Sequence, residues 1–197
     1  MIKTDPIAYS AYPQDCHLYN KLALSRILGY TCGTGHIPYS GTWIVRPIIN
    51  LDGMGLGAVI KHYEYGESIP EGMFYSEVFK GRHITIDYER KGNVWKQTDT
   101  FEGFNTPDNL IQFSHWKRVE FPYHLPLLLR SVEAKHINIE IIDGNIIEVH
   151  LRRNPDPVMY DEFWPIWLED QKPFDGYKRI VDVEDHIGRL GFYVPAS

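Results

Sequence analysis

The chain has 197 residues, 43% of them apolar and 23% charged, with a formal net charge of −6. This is the make-up of a globule able to bury a core, as one domain or two small lobes, and the negative balance argues against non-specific nucleic-acid binding as its main activity. Cys16 and Cys32 are too few for a disulfide framework or a zinc site and fit a reducing compartment; with no run long enough to span a membrane and no signal-like start, the chain reads as cytoplasmic.

Residues 1–14 are polar and rich in Tyr and Pro, which predicts an extended arm. Asp15 is placed to cap a helix over 16–28, where Leu18, Leu22, Leu24 and Leu28 share a face and Gly29 stops it. Residues 31–41 carry glycines and proline and read as loop; 42–46 read as a strand closed by Pro47. Next comes Gly53-Met54-Gly55-Leu56-Gly57, three glycines at alternate positions before a strand over 58–63. Such a run lets a backbone turn tightly and present N–H groups to an anion, though many are only mobile turns.

Residues 74–81 and 84–88 predict a second strand pair bending near Gly81, and Lys91-Gly92-Asn93 turns into a strand over 94–98. Residues 99–118 carry no clear signal. Residues 122–133 predict a helix with Leu125, Leu128, Leu129 and Val132 on one face, and 161–168 a short aromatic helix or turn. Residues 177–183 and 191–194 are placed to close the sheet.

The most informative stretch is 136–154. Asp143-Gly144 between two β-branched runs signals a tight hairpin. Alternation puts Ile137, Ile139, Ile141, Ile147, Val149 and Leu151 on a core face, and Asn138, Glu140, Glu148, His150 and Arg152 on the other. The bland reading of that polar face is a solvated surface with Glu–Arg cross-strand pairs. The functional reading is a Mg²⁺–phosphate platform, hard oxygen ligands for a cation beside a guanidinium for phosphate.

Four segments, in order over residues 20–154, resemble the ATP-grasp superfamily, whose members include biotin carboxylase and the D-alanine–D-alanine ligases. Asn20-Lys21 followed by Gly29-Tyr30 resembles its opening. Ile44-Val45-Arg46-Pro47 with the glycine run resembles its basic strand and phosphate flap, with Arg46 where the family usually has Lys. Tyr75-Ser76-Glu77-Val78-Phe79-Lys80-Gly81-Arg82-His83 resembles the hinge strand whose backbone holds adenine. Ile139-Glu140 with Glu148-Val149-His150-Leu151-Arg152 resembles the metal-binding hairpin, with His150 where the family has Asn.

The resemblance implies an α+β fold of two small, mostly antiparallel lobes with a nucleotide cleft between them. The lobes would cover 15–75 and 76–160, with 161–197 as a tail wrapping back. It implies ATP contacts from Arg46, Gly53, Met54, Gly55, Gly57, Glu77, Val78, Phe79, Lys80 and His83, Mg²⁺ or Mn²⁺ on Glu140, Glu148 and His150, and catalytic charge from Arg46 and Arg152. The implied activity is ligation of a carboxylate to an amine or thiol through an acyl-phosphate; the rival reading is a nucleotide-binding scaffold without turnover. The short frame, lacking the α/β domain that precedes this unit in many members, implies a substrate presented by a macromolecule such as a peptide, or a homo-oligomer completing the pocket. His150 in place of an amide suits Mg²⁺ less well. Trp43, Trp164 and Trp167 read as packing aromatics, Lys61 as a solvated strand lysine, and His17, His36, His115, His124, His136 and His186 as structural.

Overall fold

A computed structural model describes residues 4–52, 55–105, 110, 112–172, 174–181 and 188–196. Two antiparallel sheets carry the chain. The smaller contains β1 (Cys32–Gly33), β2 (Gly41–Pro47), β3 (Val59–Tyr63) and β4 (Met73–Ser76) in the order β1-β4-β2-β3. The larger contains β5 (His83–Lys91), β6 (Val94–Asn105), β7 (Phe113–Arg118), β8 (His136–Ile142), β9 (Asn145–His150), β10 (Glu162–Ile166), β11 (Tyr177–Ile180) and β12 (Gly191–Pro195). Its order is β11-β12-β10-β7-β6-β5-β8-β9. The expected α+β class of mostly antiparallel lobes is what is observed.

Among the described residues the helices are few and short: α1 (Asp5–Ala11), a 3-10 turn at Pro13–Tyr19, α2 (Lys21–Ile27) and α3 (Leu127–Arg130). The expected arm is therefore helical over α1, entered through a proline in its first turn. The helix expected over 16–28 is broken at Asn20, whose side chain accepts from the Ala23 amide at 2.8 Å and caps α2. The helix expected over 122–133 shrinks to α3, because Pro126 is extended, at ψ 149°, and becomes its N-cap.

Two strand expectations are corrected. β4 ends at Ser76 and pairs with β1 and β2, whereas β5 pairs with β6 and β8, so 74–76 and 84–88 lie in different sheets and 77–82, with Gly81, is the link between them. Within 161–168 the chain forms β10 rather than a helix: Phe163 and Pro165 are buried while Glu162 and Trp164 are only partly so, the alternation of a strand, and it pairs with β7 and β12. Within the unplaced 99–118 stretch, β6 runs on to Asn105 and β7 follows.

The larger sheet sorts its side chains by period two. Ile84, Ile86 and Tyr88 of β5 and Ile137, Ile139 and Ile141 of β8 form the main core with Leu18, Leu24 and Leu129, each isoleucine stabilising by roughly 2 kcal/mol. The opposite face carries His83, Thr85 and Asp87 beside Asn138 and Glu140. Further along it, Phe101, Trp116, Phe163 and Phe192 build a separate aromatic cluster. The smaller sheet has its own core around Trp43, Val45 and Tyr75. Edge strand β9 is covered by the 3-10 turn and α2. Among the described residues, no helix is long and apolar enough to cross a membrane.

Gly81 sits in the inter-sheet link at φ 140°, and a Cβ there would lie 2.8 Å from the Asp143 Cβ. Gly81→Ala is expected to cost about 2 kcal/mol, read as a lowered urea midpoint at unchanged slope. Gly92→Ala, at φ 61° but with open space around it, is expected to cost less.

Candidate functional site

The hairpin of β8 and β9 forms as the sequence implies, with Asp143 at φ 50° and Gly144 at φ 81° making the turn. One detail differs. Glu140 pairs with Glu148 but Ile141 pairs with Ile146, so Ile147 is the extra residue of a β-bulge. Ile146 takes the core position expected of Ile147, and Ile147 is left lining a cavity between the two sheets.

That cavity, of about 190 Å³, gathers Arg46, Gly55, His83, Glu140, Glu148, His150 and Arg152 from the expected site residues. Gly57, Glu77, Val78, Phe79 and Lys80 do not line it. Glu77 instead accepts from the Thr31 amide at 2.7 Å, and Phe79 packs edge-on against Tyr30. Gly53 and Met54 lie outside the described residues. Gly55 closely approaches Leu110, which lies between β6 and β7: a Cβ at Gly55 would stand 3.1 Å from the Leu110 carbonyl oxygen.

The polar wall is a connected set of charges. Lys21 Nζ donates to Glu148 Oε1 at 2.5 Å, both groups buried. His83 Nε2 donates to Glu140 Oε2 at 3.1 Å. His150 Nε2 stands 3.6 Å from Glu140 Oε1 and 3.7 Å from Glu148 Oε2. Behind it, Asp5 accepts from His150 Nδ1 at 3.0 Å, from Arg152 at 2.7 Å and from the Tyr19 hydroxyl at 2.9 Å. Tyr19 in turn accepts from the Leu151 amide at 3.1 Å. The solvated-surface reading of the hairpin does not describe this wall, in which Glu148, His150 and Arg152 are all buried.

These contacts set the protonation states. Burial alone would favour neutral His150, but Asp5 and then Glu140 overcome it and raise the imidazole to about 10. Burial likewise opposes ionisation of Asp5 and Glu140, yet His150 and Arg152 hold Asp5 below the usual carboxylate range, and His150 with His83 hold Glu140 well below it. Across the cavity, burial lowers the Arg46 pKa, with Glu148 and Glu140 opposing. The Arg46 guanidinium lies over the Phe74 ring at 5.2 Å, and its Nε has no partner among the described residues. Arg152 Nε has none either.

Ligand atoms of Glu140, Glu148 and His150 fall within 4.8 Å of one another, close enough to share one cation. Two carboxylates suit Mg²⁺ or Mn²⁺, and the imidazole would join them only after losing its Nε2 proton. Asp87, behind Asn138, accepts from Asn138 at 3.0 Å and from the Asn154 amide at 2.8 Å, and burial pushes it up to about 6.

Sequence reasoning missed Asp5 and Tyr19, and left Lys21 as no more than part of a helix opening. Asp5 had no local signal, since its partner His150 is 145 residues away. Lys61 is exposed and pairs with Glu67 at 2.9 Å, as a solvated lysine should. Trp167, read as a packing aromatic, lines the cavity.

No family model matches the sequence, and no curated protein matches it. Among solved structures, a protein of Archaeoglobus fulgidus described as belonging to the ATP-grasp superfamily superposes with a TM-score of 0.52 at 12% identity, over 99% of this chain and 68% of that one. A carboxyaminoimidazole ribonucleotide synthase from Aspergillus clavatus, solved with ATP, gives 0.50 at 11% identity, over 92% of this chain and 69% of that one. The chain has an ATP-grasp-like fold.

Two outcomes are expected. Lys21→Met leaves Glu148 buried without its cation and should cost about 3 kcal/mol in chemical denaturation, part of it recovered by adding Glu148→Gln. His150 binds its proton more tightly folded than unfolded, so its contribution is complete below pH 6.5 and is lost as pH rises towards 10. A pH series of melting curves should show that decline, and Asp5→Asn should flatten it.

Proposed function

We propose that the chain is an ATP-dependent ligase that activates a carboxylate as an acyl-phosphate and passes the acyl group to an amine or thiol. The observation that carries this reading is the opposition of two features across one cavity: the Glu140–Glu148–His150 cluster on one wall and the buried, partnerless Arg46 Nε on the other. A buried cation with an idle donor calls for an anion, and two carboxylates whose oxygens lie close enough to share a metal ion can hold one beside it; a metal–polyphosphate fits both.

The remaining lining suits a nucleotide. Ile44 and Pro47 from the smaller sheet and Ile142 and Ile147 from the larger offer apolar walls to the two faces of a base. Arg46 would hold phosphate oxygens, and Arg152, kept in place by Asp5, would stand against the charge of the transferring group. A divalent cation on Glu140 and Glu148 would supply further charge neutralisation. The flap at Gly55, meeting Leu110, would keep water from an intermediate that hydrolyses readily.

A second reading, nucleotide binding without turnover, is favoured by one observation: protonated His150 already sits between the two carboxylates as a built-in cation. Incubation with Mg-ATP and Mn-ATP plus pools of acids and amines separates the two. ADP release that disappears in Glu140→Gln and Glu148→Gln is the ligase outcome; thermal stabilisation by ATP with no ADP release in any pool is the scaffold outcome.

Arg46→Ala should weaken ATP binding by roughly tenfold to a hundredfold, with Arg46→Lys recovering part of the loss. Because a metal joining His150 must displace a proton held up to about pH 10, Mn²⁺ affinity should rise by on the order of tenfold per pH unit where that ligand is used. Titrations at pH 7, 8 and 9 check it.

A further inference from the structure

The cavity does not end at the hairpin. Its lining continues across the larger sheet through His83 to Phe113, Trp116 and Trp167. In register, Ile142 lies opposite His83, His83 opposite Gly103, and Gly103 opposite Trp116. The row from β8 to β7 crosses three strand spacings, roughly 14 Å. The rings form one wall. Phe113 and Trp116 lie 4.3 Å apart between centroids, His83 stands edge-on to Phe113 at 4.9 Å, and the Trp167 indole is fixed by donating to the Phe113 carbonyl at 2.8 Å.

Gly103 makes this wall possible. A Cβ there would sit 2.6 Å from a Phe113 ring carbon and 2.7 Å from a Trp116 ring carbon, so only glycine lets both rings lie down on β6. Aromatic surface of this kind, reached from a polar reaction site, is otherwise a cost, because neither base nor phosphates need it once Ile44, Ile142 and Ile147 have walled the other part of the cavity. Arg152, with its Nε partnerless, lines the same cavity and supplies a cationic donor for an acid group.

We infer that the acid activated here carries a flat apolar body, an aromatic ring or its equivalent, seated on Phe113, Trp116 and Trp167 with its carboxylate turned towards Arg152 and the hairpin. This rests on the ligase reading and narrows it to one substrate class. In the first step a carboxylate oxygen forms a bond to the γ-phosphorus while the bond from that phosphorus to the bridging oxygen breaks, and ADP leaves. In the second the nucleophile bonds to the acyl carbon, the carbon–oxygen bond to phosphate breaks, and the nucleophile's proton passes to solvent.

The test uses the full chain with Mg-ATP and hydroxylamine, which converts any acyl-phosphate into a hydroxamate, read after quenching as its coloured iron(III) complex. Benzoate, phenylacetate and 3-phenylpropionate are compared with acetate, hexanoate and succinate. In parallel, the quench of tryptophan fluorescence by each acid is titrated with a non-hydrolysable ATP analogue present. The proposal expects the aromatic acids to give hydroxamate and quench, and expects Trp167→Ala or Phe113→Leu to raise their KM roughly tenfold with ATP stabilisation unchanged. Gly103→Ala should do the same by displacing the rings. Equal or better turnover of acetate, hexanoate or succinate, or an aromatic preference untouched by these substitutions, overturns the proposal and leaves the ligase reading standing. Quench by aromatic acids with no hydroxamate from any acid keeps the aromatic seat and sinks the ligase reading. Neither quench nor hydroxamate overturns both.

Discussion

The candidate site depends on one buried carboxylate. Asp5 accepts three hydrogen bonds, from His150, Arg152 and Tyr19, and through them fixes the protonation of the imidazole, the heading of the guanidinium and the seat of the first helix on the edge of the larger sheet. A carboxylate so enclosed is tolerable only when fully satisfied, and here cations and a hydroxyl do that. Without Asp5 the buried His150 would keep only the more distant Glu140 and Glu148 to favour its charge, and Arg152 would lose its carboxylate partner.

The polar face follows the same logic on a larger scale. Lys21 answers Glu148, His83 answers Glu140, and Arg189 answers Asp156 at 3.0 Å. Such pairing adds little to stability compared with an apolar face of the same volume. Its value lies in presenting charges in fixed positions, so that the partnerless donors of Arg46 and Arg152, which line the cavity, stand out as places for a ligand.

Much of this was legible in the sequence because it is local. The hairpin announced itself through Asp143-Gly144 and period-two alternation, and β2 through the run ended by Pro47. The non-local parts were not legible. Residues 74–76 look as if they should pair with their neighbours in sequence, and nothing short-range tells them to join β1 and β2 instead. The bulge at Ile147 inverts the positions of two adjacent isoleucines, which periodicity cannot distinguish. Asp5 lies in a stretch of polar and aromatic residues that shows no face until the sheet edge is there to receive it. Trp167 reads as core by composition, and only the cavity beside it gives it another use.

The span of the Asp5–His150 contact has a kinetic meaning. The two residues are 145 positions apart, so joining them closes a loop that takes in most of the polypeptide, and the entropy of that closure is repaid only once the intervening strands have collapsed. On the ribosome, the first helix would wait, unable to dock, until the edge strand had been synthesised. Assembly of the charged wall would then be a late event in folding, and a chain stalled before it would keep most of its sheet structure yet lack a working cleft.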